Sequence, residues 1–382
     1  MLLPYWDRSG VAHELEPPPQ SYHDWLQGDD IPTDHQRLHN AVQEQLGSTL
    51  IKTACRAMYM NLTLDATLDN GTSVILRQRH TYPLDPVKEI WSSTKFHNEI
   101  KLLQWLRKRT KIPLPTILAV GPYYTIQEKL PGSTLAYHWH HLSEPAKDHF
   151  IFAYVAILSQ LFHLQAPHGI GSASFDDVSG SNTLAVGPLL AANPSYSTPK
   201  VIDTISGYVG FLFSVKREAI KEMKPEDIQR AESTLSFIER KVTSVTQTIS
   251  DSTLLRCVLT HADPHGYNIL VDDDGNITGL LDWEFNYIQP AILAIDYPLW
   301  LSNEGRLDPR FASDSQWWEE SPSERQRLCT LFEQTIEEHN PELYNCFIQG
   351  HILRAAVGWL LDTLPDPGLD RVMAWARATF ED

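Results

Sequence analysis

Residues 258–284 constrain what this chain can fold into more than any other stretch. Val258 and Leu259 are apolar and lead into Thr-His-Ala-Asp-Pro-His-Gly-Tyr-Asn at positions 260–268. Ile269, Leu270 and Val271 follow, then Asp272-Asp273-Asp274-Gly275-Asn276, then Ile277–Leu281 and Asp282-Trp283-Glu284. Short apolar runs bounded by Asp, Asn and Gly read as strands separated by turns. The spacing predicts a loop from His261 to Asn268 between short buried segments. It also predicts a hairpin that returns Asp282 close to the loop carrying Asp263 and Asn268.

The chain on either side differs in character. Residues 1–32 are rich in Pro and acidic residues, including Pro17-Pro18-Pro19, and read as an extended arm. Trp6, Tyr22 and Trp25 are expected to dock parts of that arm on the body. Thr33–Gln36 has the form of a capping box, and Leu38, Val42 and Leu46 recur at helical spacing, which predicts a helix from about Asp34 to Leu46. From Ile51 to His80, alternating and β-branched residues predict strands over Met58–Leu68 and Thr72–Arg79, joined at Asp69-Asn70-Gly71. Lys88–Arg109 reads as a helix with Phe96, Ile100, Leu103 and Leu106 on one face, stopped by Pro113 and Pro115. Ile117–Val120 and Tyr123–Glu128 read as two more strands, completing a small lobe with a mostly antiparallel sheet and one helix. Beyond Gly132 the patterns are mainly helical: Phe150–Leu164, Pro225–Ser250, a helix capped at Ser321 and running to about His339, and His351–Leu361. Residues 166–200, rich in Gly, Ser, Asn and Pro, read as a long loop. The expected division is 1–45 as arm and helix, 46–131 as the small lobe and 132–382 as the large one.

Composition narrows the function. A net charge of −17 argues against a nucleic-acid partner, which needs a basic face. Cys55, Cys257, Cys329 and Cys346 are scattered, which indicates neither a zinc site nor a disulfide framework. Reduced thiols in an intracellular protein are the expectation. The start, Met-Leu-Leu-Pro-Tyr-Trp-Asp-Arg, lacks a basic region and breaks at Pro4 before any apolar core forms. No stretch approaches the ~20 apolar residues of a spanning helix. A cytoplasmic protein with no membrane partner and no evident obligate protein partner is expected.

His261, Asp263 and Asn268 form a His-x-Asp-x-x-x-x-Asn run, and Asp282 follows after an apolar hairpin. Kinase-type phosphotransfer uses this layout: an Asp near the acceptor hydroxyl, and an Asn and a second Asp on the magnesium that neutralises the phosphates. Oxygen ligands converging in a loop suit Mg²⁺, which keeps several waters and bridges phosphates. A calcium loop at Asp272–Asp274 fails the EF-hand register, so a solvated turn is expected there.

The stretch resembles the aminoglycoside phosphotransferase and choline-kinase-like family, small-molecule kinases with the protein-kinase fold. The resemblance runs from about Ser48 to the last helices and is specific at His261–Glu284. It implies an α+β, two-lobed protein-kinase-like fold, with a small antiparallel-sheet N-lobe on the nucleotide side. The larger, mostly helical C-lobe would carry the catalytic loop, metal and acceptor site. It implies ATP and Mg²⁺ as cofactors and a small-molecule acceptor. Asp263 would be the catalytic Asp, Asn268 and Asp282 the magnesium ligands, and His261 a structural residue of the loop. Asp296 looks like a later Asp that braces the site, and an ordinary helix cap is the alternative.

Ala262 stands where many protein kinases have the Arg that binds an activation-loop phosphate, and Asp282-Trp283-Glu284 replaces Asp-Phe-Gly. A small-molecule acceptor is therefore favoured over a phosphorylation-regulated protein kinase. His265 falls where protein kinases place a Lys near the γ-phosphate and is expected to touch the transferred phosphate. In the small lobe, Arg77 is favoured over Arg79 as the cation for the phosphates, with Glu99 as its partner. Gln127–Leu130 falls at the adenine-binding hinge, where the backbone of Glu128 and Leu130 would meet the base. The departure is the phosphate-covering hairpin. Ser48–Asn70 contains no Gly, and Ala54-Cys55-Arg56-Ala57 occupies the expected turn, with Arg56 available to phosphate. That motivates an alternative: a catalytically altered member that binds nucleotide or metabolite without transfer, or uses Asp263 and His265 in other acid–base chemistry. Tyr297, Trp300, Trp317, Trp318 and Trp359 are either acceptor-pocket walls or plain core.

Overall fold

A computed structural model of the protein describes residues 2–7, 9–15, 35–58, 61–176, 182–298, 300–301, 309, 318–361 and 369–381. The expected cap at Thr33, the prolines at 17–19, Tyr22, Trp25 and Trp317 lie outside the described residues. The chain divides into two compact units. One comprises Glu16–Leu142 and Gly266–Glu284; the other comprises Leu2–Leu15, Ser143–His265 and Phe285–Asp382. Among the described residues, no helix is long and apolar enough to cross a membrane.

The first unit is built on a five-stranded antiparallel sheet. Its spatial order is Leu50–Met58, Asn61–Leu68, Ser73–Arg79, Tyr124–Glu128 and Ile117–Val120. Alternation explains the central strands: Leu62, Leu64, Ala66 and Leu68 all face inward, as period-two side chains must. They pack with Val74, Leu76, Ile126 and, from the helix His35–Leu46, Val42. At Asp69-Asn70-Gly71 the turn forms as expected. Gly71 takes φ +82° and the Asn70 side chain accepts the Thr72 N–H at 2.9 Å.

One expectation fails here. Ala54–Ala57 is not a turn but part of the strand Leu50–Met58, with Ala54 opposite Asp65 and Ala57 opposite Thr63. The register shifts at Leu50/Lys52 and Cys55/Ala57 interrupt the alternation that would have marked a strand. The small lobe thus has five strands rather than four.

The helix Pro86–Arg107 begins where Asp85 caps it, accepting the Lys88 N–H, with Pro86 in its first turn. It buries Phe96, Ile100, Leu103 and Leu106, together with the charged Lys95 and Glu99. The segment Gly266–Glu284 contributes two strands to a small antiparallel sheet ordered Ile277–Leu280, Ile269–Val271, Ser133–Thr134. Gly132 makes that packing possible. Its φ is +98°, and a Cβ there would lie 2.7 Å from the Val271 carbonyl oxygen.

The second unit is mainly helical: Glu144–His163, Ile205–Ile220, Pro225–Thr248, Pro322–His339, Pro341–Leu361 and Leu369–Phe380. Several start on caps legible in sequence, such as Ser321, whose hydroxyl accepts the Glu324 N–H. His351–Leu361 is the second half of a longer helix. A buried strand, Cys257–His261, pairs antiparallel with Asn286–Pro290. The expected loop at 166–200 instead contains the hairpin Ser172–Asp176 with Thr183–Gly187. The described part of the N-terminal arm docks through Trp6, as expected. Leu3–Trp6 and Ala12–Leu15 form a hairpin whose Trp6 bridges to Trp318. All four cysteines are free.

Candidate functional site

In the second unit, the strand Cys257–His261 delivers Asp263. The ladder runs one residue past the strand, since the Ala262 N–H donates to Phe285 O at 3.1 Å. The Asp263 N–H then donates to His261 Nδ1 at 3.1 Å, which leaves the ring proton of a neutral His261 on Nε2. His261, expected at the start of the loop, is instead the buried last residue of that strand. Asp263 and His265 face each other, with His265 Nε2 3.3 Å from Asp263 Oδ2 and 39% of each side chain exposed. Tyr287 lies close enough that burial first, and then the Asp263 charge, push its hydroxyl up to about 12. The chain passes into the first unit between His265 and Gly266.

In the first unit, Gly266–Asn268 forms a 3₁₀ turn, and Asn268 is buried. The hairpin register continues beyond its strands, because the Leu281 N–H donates to Asn268 O at 2.8 Å. That bond sets Asn268 beside Asp282. Asp282 takes φ +59°, the single non-glycine residue with positive φ among the described residues. Asp is one of the few residue types that tolerate this region, and such conformations cluster at functional sites. Trp283 is fully buried and donates its ring N–H to Leu280 O at 3.3 Å. The Asp272–Asn276 turn is internally satisfied. Asp272 accepts the N–H groups of Asp274 and Asn276 and the Asn276 side-chain amide.

Arg77 is the centre of the first unit's charges. Its guanidinium contacts Glu99 at 2.5 Å, Asp282 at 2.5 Å and Glu284 at 3.3 Å. Burial alone would depress the Arg77 pKa. The Asp282, Glu99 and Glu284 carboxylates outweigh it and hold the guanidinium well above its ordinary value. Glu99 is pushed up to about 7, by burial first and by Asp282 and Glu284, with Arg77 pulling the other way. Arg79 is engaged elsewhere: it pairs with Glu89 at 2.6 Å and stacks 5.0 Å from the Tyr123 ring centroid.

The remaining predicted residues are not drawn into this cluster. Arg56 leaves the strand at the bulge and pairs with Asp65 at 2.7 Å, which also receives Lys129 at 2.6 Å. Glu128 ends its strand with its N–H donated to Thr116 O and its side chain on the Thr116 hydroxyl. Leu130 packs beside Leu270 over Gly279, where a Cβ would come within 2.9 Å of both side chains. Sequence reasoning missed Lys95 and Asn61, which both reach Glu284. The four-residue spacing of Lys95 and Glu99 on one helix was the signal available for Lys95.

In the second unit, Asp296 follows the short helix Ala291–Ala294. Its Oδ1 accepts the Tyr297 N–H, and Oδ2 lies 3.5 Å from the buried Arg354. Arg354 is otherwise spent on the carbonyls of Ile292, Cys346 and Phe347. Trp318 and Trp359 are core, and Trp300 meets Phe150 and Tyr154 edge-on. Tyr297 lines a cavity of about 310 Å³ with Glu333, Phe347 and Arg354.

The small antiparallel sheet with its one long helix and the mainly helical second unit have the make-up of a kinase-like phosphotransferase. Residues 56–293 match the model of the Phosphotransferase enzyme family (APH), and the chain belongs to that family. A curated relative, Clavilactone A biosynthesis cluster protein Y of Ampulloclitocybe clavipes, is 38% identical over 98% of this chain and 95% of its own. Among solved structures, a thermostable mutant of aminoglycoside phosphotransferase APH(4)-Ia, in ternary complex with AMP-PNP and hygromycin B, is similar in fold. Its TM-score is 0.50 at 14% identity, covering 90% of this chain and 96% of that one. The α+β, protein-kinase-like fold implied by the sequence is thereby shown.

Proposed function

We propose that the protein is an ATP- and Mg²⁺-dependent phosphotransferase acting on a hydroxyl of a small molecule, in the cytoplasm. The observation that carries this reading is Arg77, a buried cation held between Glu99 and Asp282 at 2.5 Å each. Asn268 and Asp282 offer hard oxygen donors on adjacent backbone, and the Asp282 side chain keeps 35% exposure. Two such ligands, completed by phosphates and water, fit Mg²⁺, which seldom needs an all-protein cage. Bound there, the ion would neutralise charge on the transferring phosphate.

The chain's own residues divide the remaining work. Asp263 orients the acceptor hydroxyl and takes its proton. His265, beside it, meets the phosphate. Arg77, oriented by Glu99, holds the nucleotide phosphates, and backbone at Glu128–Leu130 receives the base. Catalysis comes from positioning and charge stabilisation, with no covalent enzyme intermediate. The biosynthetic-cluster name of the A. clavipes relative supports a metabolite as acceptor. The AMP-PNP and antibiotic bound by the APH(4)-Ia mutant illustrate a nucleotide and a small molecule on this fold.

A phosphoryl-acceptor screen over metabolites tests the reading, with ADP release as the signal. Wild type should consume ATP with at least one acceptor. Asp263→Ala should lose turnover by ~10³-fold while still gaining thermal stability from ATP and Mg²⁺. Full activity in that variant would sink the assignment. A binding-only protein is the second reading, favoured by the absence of glycine from Ser48–Asn70. It expects stabilisation by nucleotide with no consumption for any acceptor.

A further inference from the structure

Glu284 gathers contacts that the roles above leave unused. Its Oε2 accepts from Asn61 Nδ2 at 2.7 Å and from Lys95 Nζ at 2.8 Å. The Lys95 and Glu284 side chains each keep only 2% exposure, so water cannot replace either partner. Lys95 is further held over the Trp91 ring, 4.7 Å from its centroid. It lies one helical turn before Glu99 on the helix Pro86–Arg107, so both side chains leave the same face. One helix face therefore presents an acid to Arg77 and a cation to Glu284.

Arg77 is held unequally. Glu99 and Asp282 each take it at 2.5 Å, whereas Glu284 stands off at 3.3 Å. The looser contact belongs to the carboxylate that already has two other donors. Without Lys95, the buried Glu284 charge would turn to Arg77, because a buried charge that has lost its partner is strongly disfavoured. The guanidinium would then shift from Asp282 toward Glu284.

We propose that Lys95 is a positioning residue for nucleotide binding. By neutralising Glu284 it leaves Arg77 facing Asp282, the edge at which phosphate and metal are to be met. Asn61 shares the task. It opens the strand that leaves the glycine-free hairpin, and its amide ties that strand to the same carboxylate. The inference rests on the phosphotransfer reading of the site.

The test is calorimetric titration of AMP-PNP with Mg²⁺ into wild type, Lys95→Met, Lys95→Arg and the double variant Lys95→Met/Glu284→Gln. Circular dichroism and unfolding midpoints verify folding. Lys95→Met should bind at least about tenfold more weakly, and the double variant should return to within about threefold of wild type. Lys95→Arg should stay near wild type. A folded Lys95→Met with wild-type affinity, or a double variant as weak as the single, overturns the proposal. Should Lys95→Met not fold, Glu284→Gln alone decides. Affinity within about threefold of wild type supports an anchoring Glu284, and a loss of about tenfold or more makes Glu284 a ligand of the metal and overturns the proposal. A wild type that binds no nucleotide removes the phosphotransfer reading itself. Binding by wild type that Lys95→Met leaves unchanged removes only this inference.

Discussion

Two carboxylate clusters, one in each unit, show how differently a protein can hold buried negative charge. In the first unit, Glu99, Asp282 and Glu284 surround Arg77 and Lys95. In the second, Glu320 pairs with Lys147, and the neighbouring Glu319 is pushed up to about 7 by burial first, then by the Glu320 charge, with Lys147 opposing. The Asp282 side chain keeps 35% exposure, and in the proposed site it would exchange its guanidinium for an incoming cation. Glu319 meets its surplus charge with a proton. The first arrangement suits a site that waits for a ligand; the second is a packing solution that titrates.

Three variants sharpen that contrast. Asp282→Asn should have the largest effect, a loss of ~10²–10³-fold in magnesium-dependent turnover with little change in denaturant midpoint. Retained turnover would show that the exposed acid is not the exchangeable one. Lys147→Met should do the reverse. It should cost about 1–3 kcal/mol in urea unfolding by stranding Glu320, with kinetics unchanged. Glu319→Gln should have the narrowest effect, visible only through pH. The folded pKa of about 7 lies above the ordinary 4.5, so between those values the native state keeps a proton that the unfolded chain has lost. Stability from this group therefore falls as pH rises from 4.5 to 7 and is level outside that window. Glu319→Gln should remove this group's share of the fall, leaving the share from Glu99, whose pKa is also raised to about 7, and gain on the order of 3 kcal/mol at pH 8. An unchanged slope in urea unfolding across pH 4–8 would remove Glu319 as its source.

The fold was legible wherever chemistry repeats at short range. The hairpin around Asn70-Gly71, the helix starting near Lys88 and the 260–284 stretch all announce themselves through turn residues, caps and alternation. Strand Leu50–Met58 did not, because bulges at both ends of its pairing displace the period. The hairpin within 166–200 was hidden by small residues whose role is close approach. A Cβ on Gly171 would come within 1.9 Å of the Gly187 carbonyl oxygen. In the candidate site, the family resemblance pointed to Arg77 and Glu99, but the link from Glu284 to Asn61 and Lys95 joins residues up to 223 positions apart. No local pattern carries that information. Nor does a sequence disclose that Asp282 sits at positive φ, a conformation more often given to glycine.

The N-terminal hairpin has a consequence for biosynthesis. Trp6 exchanges backbone hydrogen bonds with Trp318, each 2.9 Å long. At ribosomal rates, roughly 15–60 s separate the synthesis of these two strands. For that interval the strand Leu3–Trp6 lacks its Trp318 bridge, while the hairpins between Leu50 and Arg79 already have their partners. A chain that stops before Trp318 never makes that bridge, so truncated products should be the ones that chaperones retain.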